Sequence, residues 1–210
     1  MTLRLADAET RADLATYVAR VRRLDEGGAM RLQASGRTLA AWAGVLSGRG
    51  LSAEGTALGL RVMALGEDAD EDAVVPVAAL GDRLAHAGSG TELDVPPTRV
   101  MVSWAAVSPP RSGWEQIGEV ATGVLKDVAE QGISEIAAGA PEGSGAAAVE
   151  SLRHRVWGRG FPAPGGADGL PAGAAFAAYA LGFVVGDHAQ VYAAGRWHRL
   201  STPVGHVLVR

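Results

Sequence analysis

The sequence predicts an α+β protein in which antiparallel sheets are backed by helices. Apolar residues recur at helical spacing in some segments and at every second position in others, so both kinds of element are expected. Nearly half of the 210 residues are apolar and a fifth are charged, as in globular proteins with a substantial core. A stretch rich in Gly, Ser, Thr and Pro over residues 87–98 predicts two α+β halves, residues 1–95 and 98–210.

The first half opens with a predicted helix. Asp7 can cap it, its apolar residues recur at helical spacing as far as Leu24, and the pair Gly27-Gly28 would end it. The period then changes to two over residues 30–34, and Ser35-Gly36 is typical of a two-residue hairpin turn. The remaining elements predicted here are a return strand (38–46), a third strand (58–65), a solvated acidic loop (67–72) and a short helix that opens at Pro76.

In the second half, a strand over residues 99–107 is predicted to end at Pro109-Pro110. Ser112 and Glu115 form a capping box, so the apolar residues from Trp114 onward predict a helix that Gly132 ends. The order of helix, hairpin and third strand predicted for the first half recurs at the end of the second half. This recurrence fits either an ancient duplication or the chance similarity of two modules. Other elements predicted are a helix over 146–157, a buried helix over 172–183 after Pro171, and short strands over 189–193, 196–201 and 206–210.

Composition excludes several classes of chemistry. With no cysteine, the chain has no disulfide, thiolate nucleophile or thiolate metal site. The net charge of −4 offers no general attraction to nucleic acid, and we expect it to disfavour a nucleic-acid partner. Residues 1–14 do not resemble a signal peptide, and the uncharged run 169–186 is too rich in Ala and Gly for a membrane span. We expect a cytoplasmic protein with no membrane partner and no cofactor.

Three stretches of the second half carry a family resemblance. They are VSW with SPPRSGW (residues 102–104 and 108–114), LPAGAAFAAYALGF (170–183) and GRWHRLSTPVGHVLVR (195–210). These stretches resemble uncharacterised actinobacterial proteins built from two tandem domains of unknown function. The resemblance is weaker in the first half and implies no activity, substrate or site residue. It agrees with an amino-acid composition typical of GC-rich genomes, in which arginine replaces lysine and Lys126 is the only lysine.

No catalytic motif is apparent. Gly139, Gly143 and Gly145 would lie between a short strand over 133–138 and a helix, but the lysine of a phosphate-binding loop is missing. A serine-hydrolase elbow is also missing. We therefore predict no catalytic residue and favour a non-enzymatic protein.

The last three strands predict a two-faced sheet. If Ala194-Gly195 is a two-residue turn, Val191 faces His198, and a four-residue second turn places Ser201 opposite His206. His188 and His206 would then flank Ser201 at a separation too large for a shared zinc ion, so no metal site is predicted. The face opposite the core would carry His188, Gln190, Tyr192, Trp197, Arg199, Ser201, His206, Leu208 and Arg210.

This second face is the main candidate for function. Tyr192 opposite Trp197, beside Arg199, would be a seam between halves or subunits, a ligand surface, or a platform for stacked bases. Arg111 precedes a predicted helix start, where it would bind an anion or be merely solvated. The candidate binding residues are Arg111, Trp114, His188, Tyr192, Trp197, Arg199 and His206.

Three functional hypotheses follow. The leading one is a non-enzymatic binding or assembly protein, as a homo-oligomer or with an unidentified protein partner. The second is an enzyme that acts on a small anionic substrate around Arg111 and the histidine pair His188 and His206. The third is single-stranded nucleic-acid binding through the aromatic face.

Overall fold

The computed structural model describes residues 1–50, 52–86, 90–140, 143, 145–163, 167 and 169–210, and confirms the α+β class. The chain forms two compact units. Unit 1 contains Met1–Val45 and Gly59–Val107, and unit 2 contains Leu46–Leu58 and Ser108–Arg210. The boundary predicted between residues 95 and 98 stays a prediction. No helix in the described part of the chain is long and apolar enough to cross a membrane.

Unit 1 is built around two packed helices and extended strands. The Asp7 carboxylate accepts the Thr10 N–H at 2.7 Å, which confirms the predicted cap of the first helix. That helix buries Leu14, Tyr17, Val18 and Val21 and packs against the second helix. The elements, in chain order, are β1 (Thr2–Arg4), α1 (Ala8–Leu24), β2 (Ala29–Leu46), β3 (Ala57–Pro76), α2 (Val77–His86) and β4 (Glu92–Asp94).

β2 contains both predicted strands of the first hairpin. Residues 35–38 at its middle are all exposed, and Gly36 has φ +55°. The Trp42 Nε1 donates to the Gln33 Oε1 at 3.2 Å, although nine residues of straight strand would span about 30 Å. The chain therefore reverses between these two residues, where the turn is predicted.

The acidic loop predicted over residues 67–72 is wrong, because this stretch is extended and belongs to β3. Its side chains are mostly exposed, as expected for an acidic run. Asp72 accepts from two nitrogens of Arg31 at 2.7 and 2.6 Å, and Glu71 lies 3.5 Å from Arg99. Partners elsewhere in unit 1 thus neutralise charges that would otherwise disfavour a strand.

The strand predicted over residues 99–107 is also wrong. The segment contains a short 3-10 helix, Ser103–Ala106, and none of its side chains is buried. Met101 is fully exposed, and the Val100 N–H donates to the Val74 carbonyl at 3.0 Å. The alternation of valines predicts a strand, but a strand also needs a continuous partner, and no described residues form a ladder with this segment.

Unit 2 combines three packed helices with an antiparallel sheet of order β8-β7-β6-β5, in which the start of β3 lies beside β8. The longest helix is predicted to start near Trp114 and actually starts at Thr122. The buried helix is confirmed, and Phe176 on it stacks on Trp157 with ring centroids 4.4 Å apart. The elements are β5 (Glu115–Ala121), α3 (Thr122–Gly139), α4 (Ala146–Trp157), α5 (Ala172–Ala180), β6 (His188–Ala194), β7 (Trp197–Thr202) and β8 (Gly205–Val209).

The capping-box helix is wrong because strand pairing replaces it. Glu115–Ala121 forms β5 and pairs along its length with β6, so tertiary backbone hydrogen bonds override a local helix signal. Gly132 does not end α3 but lies inside it. A Cβ at this position would sit 2.3 Å from the Trp157 ring, so the close packing of that ring explains the glycine. The strand predicted over residues 133–138 is part of α3, and residues 141, 142 and 144 of the suggested phosphate loop lie outside the described residues.

Of the two strand pairs formed by the last three strands, one has the predicted register and the other has a shifted register. Ser201 faces His206 between β7 and β8, as expected. Between β6 and β7 the turn is one residue later, with Gly195 at φ +59°, so Tyr192 faces Arg199 rather than Trp197. Moving the turn by one residue shifts each partner by two, and a shift of two keeps every side chain on its predicted face.

Candidate functional site

The candidate site lies on the predicted second face of the unit 2 sheet and centres on Arg199. The guanidinium carbon of Arg199 is 4.8 Å from the centroid of the Trp114 ring and 4.4 Å from that of Tyr192. Tyr192 is the direct cross-strand neighbour of Arg199, and Trp114 immediately precedes β5. Both rings attract the cation through their π faces and restrict the orientation of its plane.

Arg199 has an unusual electrostatic environment for this molecule. Its Nε is buried, and no described group accepts a hydrogen bond from it. Two other arginines face carboxylates: Arg61, which is buried, is 2.5 Å from Asp13 in unit 1. In unit 2, Arg159 makes a two-pronged contact with Glu135. Among the described residues, the contacts of Arg199 are with aromatic rings rather than with an anion.

A neutral histidine lies beside this cation. The Nδ1 of His206 is 2.9 Å from the Ser201 hydroxyl oxygen, directly across the β7–β8 pair. Burial lowers the pKa of His206, and the positive charge of Arg199 lowers it further. His206 is therefore neutral at pH 7 and contributes a polar but uncharged edge to the site.

A row of polar side chains extends this face toward β5. The Gln116 side chain donates to the Gln190 carbonyl oxygen, and the Gln190 Nε2 donates to the Glu119 carboxylate at 3.1 Å. The acidic group of this row is thus hydrogen-bonded on β5–β6, and no ion pair joins it to Arg199. Sequence reasoning missed Gln116 and Glu119 because it assigned them to a helix, although Gly118 is a poor helix former.

The structure brings four of the seven predicted binding residues together: Trp114, Tyr192, Arg199 and His206. Trp197 is on the same face but is 5% exposed, and its ring lies 6.0 Å from the Arg210 guanidinium carbon.

The other two predicted residues lie apart from the cluster. Arg111 is exposed in the turn before β5, where the Trp114 Nε1 donates to the Pro110 carbonyl at 3.0 Å. His188 is exposed at the start of β6, opposite Ala121. No group of three His, Asp or Glu residues able to hold a metal occurs in the described part of the chain.

Comparison with solved structures identifies the fold. The DNA polymerase sliding clamp of Caulobacter crescentus superposes on all of this chain with TM-score 0.61 and 14% identity. The DNA polymerase III beta subunit of Thermotoga maritima gives TM-score 0.59 at 12% identity, and the sliding clamp of Bartonella birtlesii gives 0.60 at 12%. The chain covers 65% of the Caulobacter clamp and 64% of each of the other two. No curated protein sequence matches the chain.

This likeness corrects one expectation about partners. Net charge led to the expectation that nucleic acid is disfavoured as a partner, and that expectation is wrong for this fold, because the similar structures are sliding clamps of DNA polymerase. Overall charge was a poor guide because it is an average over the whole surface. The cytoplasmic location and the actinobacterial origin stay predictions.

The sequence families agree with the resemblance to two tandem domains. Residues 109–210 match the family model described as domain of unknown function DUF8185. Residues 1–106, just over half of the chain, match the model described as domain of unknown function DUF8010. The two models meet close to the limit of the contiguous part of unit 2, which begins at Ser108. The chain therefore belongs to the DUF8010 family and carries a DUF8185 domain as its second half.

Proposed function

We propose that this protein is a clamp-like assembly protein that encloses double-stranded DNA together with further copies of itself. The observation that carries the proposal is the extent of the fold likeness, which includes the whole chain at TM-score 0.61. Since that likeness comes with 14% identity, it supports the architecture, and the function is inferred from it.

Charge favours enclosure over adhesion to DNA. Proteins that adhere to DNA do so by replacing counterions with many Lys and Arg contacts, and such binding weakens steeply with salt. This chain has 19 basic and 23 acidic residues, so it has no net positive charge to favour such adhesion. A closed assembly around DNA would be retained by topology and needs few such contacts.

Self-assembly would supply the missing length. The chain spans 65% of the Caulobacter clamp, so one copy does not account for a whole clamp subunit. In unit 2, β5 is the last strand in the sheet order, with β6 on one side and no described strand on the other. Free strand edges are natural sites for pairing with another chain. Ile117 on β5 is 38% exposed at the bulge and would face the added copy.

A retention experiment tests the enclosure. The protein is incubated with a circular plasmid and passed through a gel-filtration column in high salt, and half of each sample is linearised first. We expect co-elution with circular DNA that disappears on linearisation. Equal binding to circular and linear DNA that salt abolishes, or no binding to either, would refute enclosure.

Sedimentation analysis of a matched pair of variants tests the assembly. Ile117→Lys places a charge at the β5 edge, and we expect it to shift the protein toward monomer. Ile133→Lys makes the same change at a 40% exposed position of α3 and should leave the assembly unchanged. The assignment of the interface to the β5 edge is wrong if both variants sediment like the wild type, or if both dissociate equally.

A further inference from the structure

We propose that Arg199, Ser201 and His206 form a binding site for an oxyanion, either a carboxylate or a phosphate group. The inference rests on the unit 2 sheet alone and does not depend on enclosure of DNA. It assigns a chemical class of ligand to a place where a half-buried cation lies over two aromatic rings without a described carboxylate partner.

The geometry of Arg199 leaves its edges for a ligand. A guanidinium interacts with aromatic rings through its planar face and with hydrogen-bond acceptors through its rim of N–H groups. The guanidinium carbon lies over the rings of Trp114 and Tyr192, at 4.8 and 4.4 Å from their centroids. Since Nε is enclosed by the protein and has no described acceptor, the Nη groups are the part of the rim that a ligand would reach.

Two oxygens of one oxyanion match this rim. Carboxylate and phosphate groups accept two parallel N–H donors from an arginine, and such charge-assisted bonds are stronger than neutral ones. The two Nη groups of Arg199 would supply this pair of donors. The rings already restrict the orientation of the guanidinium, so less entropy is lost on binding.

The surroundings contain no described competitor for the cation. Glu119, the acidic side chain of the neighbouring polar row, accepts from Gln190 instead. His206 is neutral, and its Nδ1 lies 2.9 Å from the hydroxyl oxygen of Ser201, which is two residues along β7 from Arg199. This hydroxyl and imidazole can add contacts to the bound group. No described carboxylate pairs with Arg199 and His206 adds no charge, so the cation is left to interact with an anion.

Nuclear magnetic resonance can observe this site directly. The Nε–H signal of Arg199 is identified by its absence from the Arg199→Lys variant, and the wild-type protein is titrated separately with inorganic phosphate and with acetate. We expect a saturable shift of that signal with at least one of the two ions. The ion that binds more tightly distinguishes a phosphate ligand from a carboxylate ligand.

Three variants separate specific binding from general charge. Arg199→Gln and Arg199→Lys should each weaken binding of the preferred ion, followed at the His206 ring signals, by about tenfold or more through loss of the charge-assisted fork. Arg196→Gln removes the same charge from the exposed β6–β7 turn and should change affinity by less than about twofold.

Three outcomes would overturn the proposal. The first is that neither the Arg199 signal nor the His206 signals of the wild type shift with either ion. The second is that Arg196→Gln weakens binding as much as Arg199→Gln does. The third is that Arg199→Lys binds the ion as tightly as the wild type does. The lysine variant keeps the positive charge, so the test stands even if Arg199→Gln fails to fold.

Discussion

Helices α1 and α5 lie in different units and are specified in opposite ways. α1 has a capping aspartate at its start, arginines Arg22 and Arg23 in its last turn, and one buried stripe. α5 has no side-chain cap and no charge in either end turn, and six of its nine residues are buried. The first helix contains its own start, stop and orientation, whereas the second depends on the side chains packed around it.

The contrast extends to the residues that surround each helix. Beside α1, an ion pair joins the buried Arg61 of β3 to the exposed Asp13 of the helix. Around α5, contacts are close and apolar: a Cβ at Gly173 would lie 2.8 Å from the Leu46 side chain, and Phe176 stacks on Trp157. Substitutions should therefore be tolerated on the exposed side of α1 and costly near α5.

The largest expected effect comes from placing a carboxylate in each helix. Ala174 on α5 is fully buried, so Ala174→Asp should lower the free energy of unfolding by roughly 3–5 kcal/mol or prevent folding. Ala19→Asp on the exposed side of α1 should change it by less than about 0.5 kcal/mol. Urea unfolding of both variants measures the difference. Comparable losses would show that α1 depends on its surroundings as much as α5 does.

The next effect concerns the glycines of α3, which packs on α5. Gly132→Ala would place its methyl group 2.3 Å from the Trp157 ring and should cost about 1–3 kcal/mol through displacement of that ring. Gly123→Ala, in the same helix, meets no atom within 4 Å and should be neutral or stabilising by about 0.5 kcal/mol. Thermal unfolding distinguishes them, and an unchanged Tm for Gly132→Ala would indicate that the ring moves freely.

Acid should act on unit 2 before unit 1. Burial lowers the pKa values of His198 and His206 below the ordinary value of 6.5, so the unfolded chain takes up these protons at a higher pH than the folded chain does. Stability is therefore highest above that value and falls as pH drops through it toward the folded pKa values.

Hydrogen exchange at several pH values checks this order. Amides of β7 and β8 should lose protection between about pH 7 and pH 5, and the His206→Gln variant should lose less. In the described part of unit 1 the histidine is His86, which is exposed, so α1 should keep its protection over the same range. Equal loss in both units would show that the histidines do not govern the acid response.

The smallest effect is expected at the α1 cap. The Thr10 N–H holds the pKa of Asp7 below its usual 3.8, so the carboxylate stabilises the folded state above that pH, and this contribution disappears as pH falls through the lowered pKa. Asp7→Ala should lower Tm slightly at neutral pH and not at all in strong acid. Asp68→Ala, an exposed position of β3, serves as the control and should have no effect at either pH. A pH-independent loss would point to a role other than capping.

The candidate site was partly predictable. Alternation along β6, β7 and β8 placed Tyr192, Arg199 and His206 on one face, and this survived the shifted turn because the shift was two residues. Trp114 was assigned to a helix, and only its position before β5, beside β6, brings its ring to Arg199. A contact between residues 85 positions apart leaves no local pattern, so periodicity alone could not reveal it.

Several elements could be predicted from the sequence because their causes are local. The Asp7 cap, the reversal near Gly36, helix α4 and the faces of the last three strands all follow from neighbouring residues. Tertiary structure decided between strand and helix where local signals were ambiguous. Residues 115–121 became β5 because β6 offered backbone partners, and residues 99–107 lacked a strand because the described chain offers none. The physical reason is that a helix satisfies its own hydrogen bonds, whereas a strand exists only with its neighbour.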